Sequence, residues 1–299
     1  MERFQRLAIS GETGSGKTTL LKMIAGLTQS DGGEALFNNE RVLGPLEKLL
    51  PGHPKIAYLS QHFELRNNLR VSEVLEMAVK LSPGQSSTIY EICRIAHLLH
   101  RRTDQISGGE RQRIALARVL STSPELLLLD EPYSNLDFAH KAIIKSVIDD
   151  IGSRLGISCL LVSQDPLDIL SWAEHVIVLK DGRIIQQGIA EEIYHRPINE
   201  YVAGLFGEYT LLSHPTFGIP IEKNKPLFTR PSYFSLNNPS QRSEPGTIRY
   251  ISFFGNYYLL QIELRNQLIT ATSTDPSLQI GTTVSVTLNH SDIWTLLQS

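Results

Sequence analysis

The 299-residue chain has little sulfur chemistry to offer: two cysteines, Cys93 and Cys159, and three methionines. Two thiols are too few for a disulfide framework, so both are expected as core or strand thiols in a reducing compartment. An excess of charge of one sign is also missing. The net charge is -3 with no long run of Lys or Arg, which removes any sequence-independent attraction to nucleic acid or to an anionic lipid surface. Long hydrophobic runs are absent as well. Stretches such as Leu126–Leu129 and Val176–Leu179 are strand-sized, well short of the roughly 20 apolar residues that cross a bilayer. No apolar leader marks the N-terminus, and the cytoplasmic side is the expected one. What is there, 41% hydrophobic and 20% charged residues, is the composition of a globular protein, long enough for about two domains.

Up to residue 200 or so, short apolar strands alternate with helical patterns, the layout of an α/β domain on a largely parallel sheet. Strands are expected at 55–60, 125–130, 157–163 and 175–179, and helices at 17–27, 72–80, 88–102, 109–120, 135–154 and 189–195. Asp181-Gly182 between two β-rich runs reads as a tight hairpin. Six of the fifteen prolines fall between Pro215 and Pro245. Proline fixes φ and removes a backbone donor, so this stretch reads as a linker and lead-in segment. Beyond it, Thr247–Phe253, Tyr257–Leu264, Gln267–Thr272 and Thr282–Leu288 are rich in β-branched and aromatic residues, which points to a small antiparallel, barrel-like β domain.

The chemistry is concentrated in three strings. Gly11-Glu12-Thr13-Gly14-Ser15-Gly16-Lys17-Thr18 is a complete G-x-x-x-x-G-K-[ST] phosphate loop, led by Leu7-Ala8-Ile9 and followed by Leu20, Leu21, Ile24 and Leu27 at helical spacing. Its glycines let backbone N–H groups close around phosphate oxygens at the positive end of the next helix. Lys17 is expected to reach the outer phosphates. Thr18 is expected to offer its hydroxyl to a magnesium ion, a task that Thr19, on another side of the helix, cannot share. The second string, Leu126-Leu127-Leu128-Leu129-Asp130-Glu131-Pro132, reads as a buried strand ending in two carboxylates. Beside the loop, Asp130 would hold the magnesium through water and Glu131 would orient or activate the attacking water. In the third, Ile106-Ser107-Gly108-Gly109-Glu110-Arg111-Gln112-Arg113, Ser107 and two glycines open a helix, a second anion-binding end separate from residues 11–18. One nucleotide therefore needs two pieces of protein.

In this order the strings resemble the ATP-binding subunit of ATP-binding cassette (ABC) transporters, over residues 1–205. The resemblance implies an α/β P-loop NTPase of the ABC ATPase type, with a helical subdomain at about 62–122 that receives the coupling helix of a permease. It also implies a linker at 206–245 and a small C-terminal all-β domain at 246–299. Gly11–Thr18 looks like the family's Walker A loop, with Thr19 counted among the nucleotide contacts. Gln61, in Tyr58-Leu59-Ser60-Gln61, looks like its Q-loop residue, touching metal and nucleotide. Ser107, Gly108, Gly109 and Glu110 look like its signature, Leu126–Asp130 like Walker B, Glu131 like the catalytic glutamate, and Ser134-Asn135-Leu136-Asp137 like the D-loop. Two such subunits, a homodimer or pseudo-dimer, would pair head to tail, each ATP lying between one Walker A loop and the other subunit's signature. ATP and Mg2+ are the implied cofactors, with Thr18, Gln61 and Asp130 around the metal. The implied partners are an integral-membrane permease and, through it, a solute-binding protein, at the cytoplasmic face of the membrane. Thr229-Arg230-Pro231, Gly246-Thr247-Ile248 and Phe254-Gly255-Asn256 resemble the oligonucleotide-fold (TOBE-like) module of importer ATPases for iron, polyamines, sulfate, molybdate and sugars. The implied function is ATP hydrolysis that powers import of a small solute or ion.

Two features depart from the family pattern. Ten residues precede Gly11, where the family has a strand pair and an aromatic residue stacked on adenine. Either the start is truncated or other groups hold the base, and Phe4 is expected in the core. At Val162-Ser163-Gln164-Asp165 an amide stands where the family has a histidine that touches the γ-phosphate and the catalytic water. Gln164 is expected near the γ-phosphate at the end of strand 157–163, able to hydrogen-bond but not to carry charge, and hydrolysis is expected to be slow. None of the nine histidines replaces it by position; His140 and His175 read as surface or helix-end residues. The alternatives are an ATP-gated regulatory or sensory module with little turnover, and a non-transport ABC ATPase, for which the coiled-coil insertion or second cassette is missing.

Overall fold

Short apolar runs and two kinds of turn decide the first part of the chain. The computed structural model describes residues 5–61, 65, 68–78, 81–222, 225–237, 243–265, 267–289 and 294–296; Phe4 lies outside them. β1 (Arg6–Ser10) leads through the phosphate loop into α1 (Lys17–Ile24), followed by a small ladder of β2 (Leu36–Phe37) and β3 (Glu40–Arg41). Next come β4 (Ile56–Leu59), the helices α2 (Val71–Glu76), α3 (Pro83–Ile92) and α4 (Gly108–Leu120), and β5 (Leu126–Asp130). After α5 (Phe138–Leu155) come β6 (Ser158–Val162) and α6 (Pro166–Leu170), and then the last two strands of the sheet, β7 (His175–Lys180) and β8 (Arg183–Ile189).

The sheet has six strands in the order β4-β5-β6-β1-β7-β8, parallel throughout except for the β7–β8 hairpin. All five residues of β5 are buried, as an unbroken leucine run must be when both faces of a parallel sheet are covered. Asp181 and Gly182 take φ values of 49° and 72°, the paired left-handed conformation of a two-residue hairpin turn. Val162 of β6 is in register with Ile9 of β1 on one side and with Asp130 of β5 on the other. The carboxyl ends of these three strands thus lie together, the place where open α/β sheets bind ligands.

Helix ends differ from the sequence reading where the backbone has a reason to stop. The helix expected at 88–102 runs instead over Pro83–Ile92, and Arg94, two residues on, turns the chain away with a left-handed φ of 54°. Its start is marked by Ser82, whose backbone N–H donates to Gln85 Oε1 at 3.0 Å, a capping box that opens a helix. Residues 96–98 and 103–105 are short 3-10 turns. The helix expected from 135 begins at Phe138, because Asn135 is left-handed at φ 60° and Asp137 caps the first turn by accepting from His140 N–H at 2.9 Å. The short helix α6 was not expected.

The chain divides into two compact units, residues 1–190 and 191–299. α7 (Ala190–His195) spans the division and α8 (Glu200–Leu205) follows. The stretch expected as linker and lead-in holds β9 (Thr210–Leu212), β10 (Leu227–Thr229) and β11 (Phe234–Leu236). Then come β12 (Ser243–Phe253), β13 (Tyr258–Leu264), β14 (Gln267–Ser273), β15 (Thr283–Leu288) and β16 (Trp294–Thr295). They form two antiparallel sheets, β16-β10-β9 and β11-β15-β12-β13-β14. Ile248, Leu260, Ile262, Ile269 and Val286 pack with Phe217 and Phe234 as their core. Arg230 is fully buried in this unit. Its guanidinium donates to the carbonyls of Tyr194, Ala203, Gly207 and Glu208 at 2.9 to 3.2 Å and lies 4.3 Å from the centre of the Tyr194 ring.

Candidate functional site

The phosphate loop is closed by contacts that only its own residue types permit. A Cβ on Gly11 would fall 2.3 Å from the Leu179 carbonyl oxygen and 2.6 Å from Ser15 Oγ, so any larger residue would push the loop off β7. The Ser15 N–H donates to the Glu12 carbonyl at 3.1 Å. Gly14 and Gly16 have φ of 85° and 99°, backbone that turns consecutive N–H groups inward. Lys17 Nζ donates to the carbonyls of Gly11 and Glu12 at 2.7 and 2.8 Å. Burial lowers the Lys17 ammonium below its ordinary range, against the pull of Glu131, Asp130 and Glu12.

Asp130 stands at the end of β5 and uses both carboxylate oxygens. Thr18 Oγ1 donates to Oδ1 at 3.0 Å, and the Tyr58 phenol donates to Oδ2 at 2.8 Å. Burial and then the Asp130 hydrogen bond raise the Tyr58 hydroxyl well above its ordinary range, which keeps it a donor. Tyr58 has no place in the sequence reading beyond the string that leads to Gln61. Its partner follows from the parallel register of β4 and β5: Tyr58 pairs with Leu128, and period-two alternation puts Leu128 and Asp130 on one face.

Glu131 follows at φ 50°, a left-handed conformation unusual for its residue type and costly enough to need a surrounding reason. Its N–H donates to the Val162 carbonyl at 3.0 Å. Burial raises its carboxyl, opposed by hydrogen bonds from Gln164 and by the Lys17 charge. Its Oε1 is buried with no hydrogen-bond partner among the described residues. Gln164 meets the loop as well, since Thr13 Oγ1 donates to Gln164 Oε1 at 3.2 Å. Gln61, Glu131, Ser134 and Gln164 line one cleft of about 300 Å³, together with Lys141 and Asp165. The structure therefore brings Thr13, Lys17, Thr18, Gln61, Asp130, Glu131 and Gln164 into one neighbourhood; Thr19 follows on α1 with its side chain exposed.

The Ser107 string lies elsewhere. Ser107 and Glu110 form a reciprocal cap of α4: Ser107 N–H donates to Glu110 Oε2 at 2.7 Å and Glu110 N–H to Ser107 Oγ at 3.3 Å. None of their hydrogen bonds reaches residues 11–18. The backbone and side-chain bonds from Ser107 hold the Glu110 carboxyl below its usual range, against its partial burial. His140, read from sequence as a surface or helix-end residue, is in the first turn of α5, with Nδ1 2.9 and 2.8 Å from the two oxygens of Asp137. Its ring also covers Gly109, where a Cβ would come within 2.5 Å of His140 Cδ2. That packing ties the turn before α5 to the start of α4.

A family model described as ABC transporter matches residues 1–134. The maltose/maltodextrin import ATP-binding protein MalK of Yersinia pestis bv. Antiqua is 30% identical over 93% of this chain and 84% of its own length. The glucose import ATP-binding protein GlcV of Saccharolobus solfataricus is 37% identical over 70% of this chain and 61% of its own. Among solved structures, cbiO1 from Clostridium perfringens, part of the ABC transporter complex cbiONQ, is similar with a TM-score of 0.58 at 26% identity, covering 65% of this chain and 81% of that one. No described helix is long and apolar enough to cross a membrane. With the phosphate loop, the Asp130 and Glu131 carboxylates and the separate Ser107 cap on one chain, these likenesses mean that the chain belongs to the ABC transporter family, among its import ATP-binding subunits.

Proposed function

We propose that this ATPase subunit works in pairs, as a homodimer or with a close relative, and that closure on ATP followed by hydrolysis drives an integral-membrane permease at the cytoplasmic face of the cell membrane. A solute-binding protein would deliver the cargo to that permease. The relatives' names point to small solutes such as sugars or sulfate as the cargo class. The observation that supports the reading best is the Thr18–Asp130 hydrogen bond with Glu131 next in chain, since phosphoryl transfer needs hydroxyl, carboxylate and water-orienting group at one point.

The residues fit a magnesium ion. Thr18 and Asp130 are hard oxygen donors 3.0 Å apart, and Mg2+ is commonly held by one or two carboxylates plus substrate phosphates. Bound there, Mg2+ would neutralise charge on the phosphate oxygens. Lys17 and the loop N–H groups would hold the triphosphate, Glu131 Oε1 would accept from the attacking water, and Gln164 would orient that water by hydrogen bonds. Ser107, Gly108 and Gly109 would complete the site of the other subunit, which fits the Ser107 side chain being engaged in its own helix cap and not with the loop among the described residues.

Glu131→Gln tests this reading. It should keep ATP binding, lose turnover and accumulate as an ATP-bound dimer in light scattering with Mg2+. A monomer at saturating ATP, or undiminished hydrolysis, would overturn the shared site.

A further inference from the structure

The turn that carries Gln164 is fastened from a different helix. Lys141, in the first turn of α5, sets Nζ 2.6 Å from Asp165 Oδ2 and 2.7 Å from Asp168 Oδ1. Lys145, one helical turn later, reaches the same Asp168 oxygen at 3.0 Å. Asp165 directly follows Gln164 and also caps α6, accepting from Leu167 N–H at 2.9 Å, while its own N–H donates to Ser163 Oγ at 3.1 Å. One ammonium thus grips the chain immediately after Gln164 and again three residues further on.

Burial sets the Asp168 half of this grip apart from a surface ion pair, while the Asp165 side chain is 41% exposed. The Asp168 side chain is 2% exposed and that of Lys141 23%. Exposed pairs contribute little, whereas a buried carboxylate that loses one of its two cations is held by the other alone, here Lys145, and shifts toward it. Gln164 needs such a fixture, because its amide must serve Thr13 on one side and Glu131 on the other. Displacement of a water-orienting group by about 1 Å can cost roughly a hundredfold in rate.

We infer that Lys141 is a positioning residue for hydrolysis, acting through Asp165 and Asp168 to hold the Gln164 amide between the phosphate loop and Glu131. The inference rests on the ATPase reading above. Lys141 touches neither reacting atom in this account; it sets where Gln164 stands.

The test is steady-state ATP hydrolysis by the full chain with Mg2+, beside binding of a non-hydrolysable ATP analogue. Lys141→Met should lower kcat about tenfold or more while KM and analogue affinity stay within about twofold. Lys141→Arg, which can span both carboxylates, should recover most of the loss. In a Gln164→Ala background the same Lys141→Met change should cost less than about twofold, because a residue acting through Gln164 has nothing left to position. Wild-type kcat in Lys141→Met, or an equal loss with and without Gln164, would overturn the inference. If Lys141→Met does not fold, Asp165→Asn, which keeps the shape and removes one charge, must show the same split between kcat and KM. A wild type that binds ATP without hydrolysing it would instead sink the ATPase reading, and the inference with it.

Discussion

The Thr18 hydroxyl donates to Asp130 Oδ1 at 3.0 Å across 112 positions of sequence, joining the first turn of α1 to the last residue of β5. The Tyr58 phenol takes the other oxygen at 2.8 Å. Rotation of the Asp130 carboxylate is therefore blocked from the β4 side, and Oδ1 is the oxygen kept on the side of the phosphate loop.

Tyr58→Phe removes that block and little else. Groups that orient metal-binding carboxylates are worth about 10- to 100-fold in metal affinity, so Mg2+-dependent nucleotide binding should weaken by about tenfold while metal-free binding is unchanged. Calorimetry over a Mg2+ series checks it; an unchanged metal dependence would reduce Tyr58 to packing.

Lys17→Ala removes a cation buried at the loop. Charge-assisted hydrogen bonds of this kind contribute about 1.5–3 kcal/mol, roughly 10- to 100-fold in affinity. ATP binding by the folded variant should fall by at least the lower figure, with Mg2+ present throughout. An intact affinity would remove the loop from the nucleotide site.

Gln164→His should raise kcat with little change in ATP affinity. The imidazole can take over the hydrogen bond with Thr13 and can also carry charge near the transferred phosphoryl, and groups that act in proton transfer are worth about 10²–10⁴ in rate. Since Gln164 already supplies positioning, a gain of about tenfold is expected. Equal turnover in the two proteins would mean that Gln164 only satisfies its neighbours.

Arg230→Leu tests the second unit. Four backbone carbonyls would lose their donor in a fully buried place, and an unsatisfied buried acceptor costs about 1–3 kcal/mol. Urea unfolding should show a loss of about 3 kcal/mol or more. Arg230→Lys should recover little of it, since an ammonium cannot span the same carbonyls as a planar fork.

Burial pushes the thiols of Cys93 and Cys159 up to about 12, so neither is a thiolate near neutral pH. A disulfide reagent should find no rapidly reacting thiol in the folded chain and two after denaturation. A fast equivalent in the native state would show that one of these core positions opens readily.

The sequence made much of this legible, and the reasons are local. Leucine runs, the phosphate-loop glycines and Asp181-Gly182 each bring their own conformation with them, so strands, loop and hairpin fall where the residues say. Contacts formed by strand register are of another kind. Tyr58 meets Asp130 only because β4 and β5 are adjacent and parallel, and no string of neighbours in sequence contains that fact. The same holds for His140 on Gly109 and for Lys141 beside Asp165 and Asp168. Helix ends depart from the periodicity where a single left-handed residue intervenes, Asn135 before α5 and Arg94 after α3, although Ser82 and Asp137 are capping signals present in the sequence.

The strand order has a consequence for biosynthesis. β1 is bordered on one side by β6 and on the other by β7, so a ribosome releases the phosphate loop long before either neighbour of its strand has been made. Asp130 and Tyr58 can emerge and pair while Leu7, Ala8 and Ile9 still have no sheet to join. The phosphate loop therefore gains its full support only once β7 has been made, and β1, the first strand made, waits longest to be enclosed on both sides.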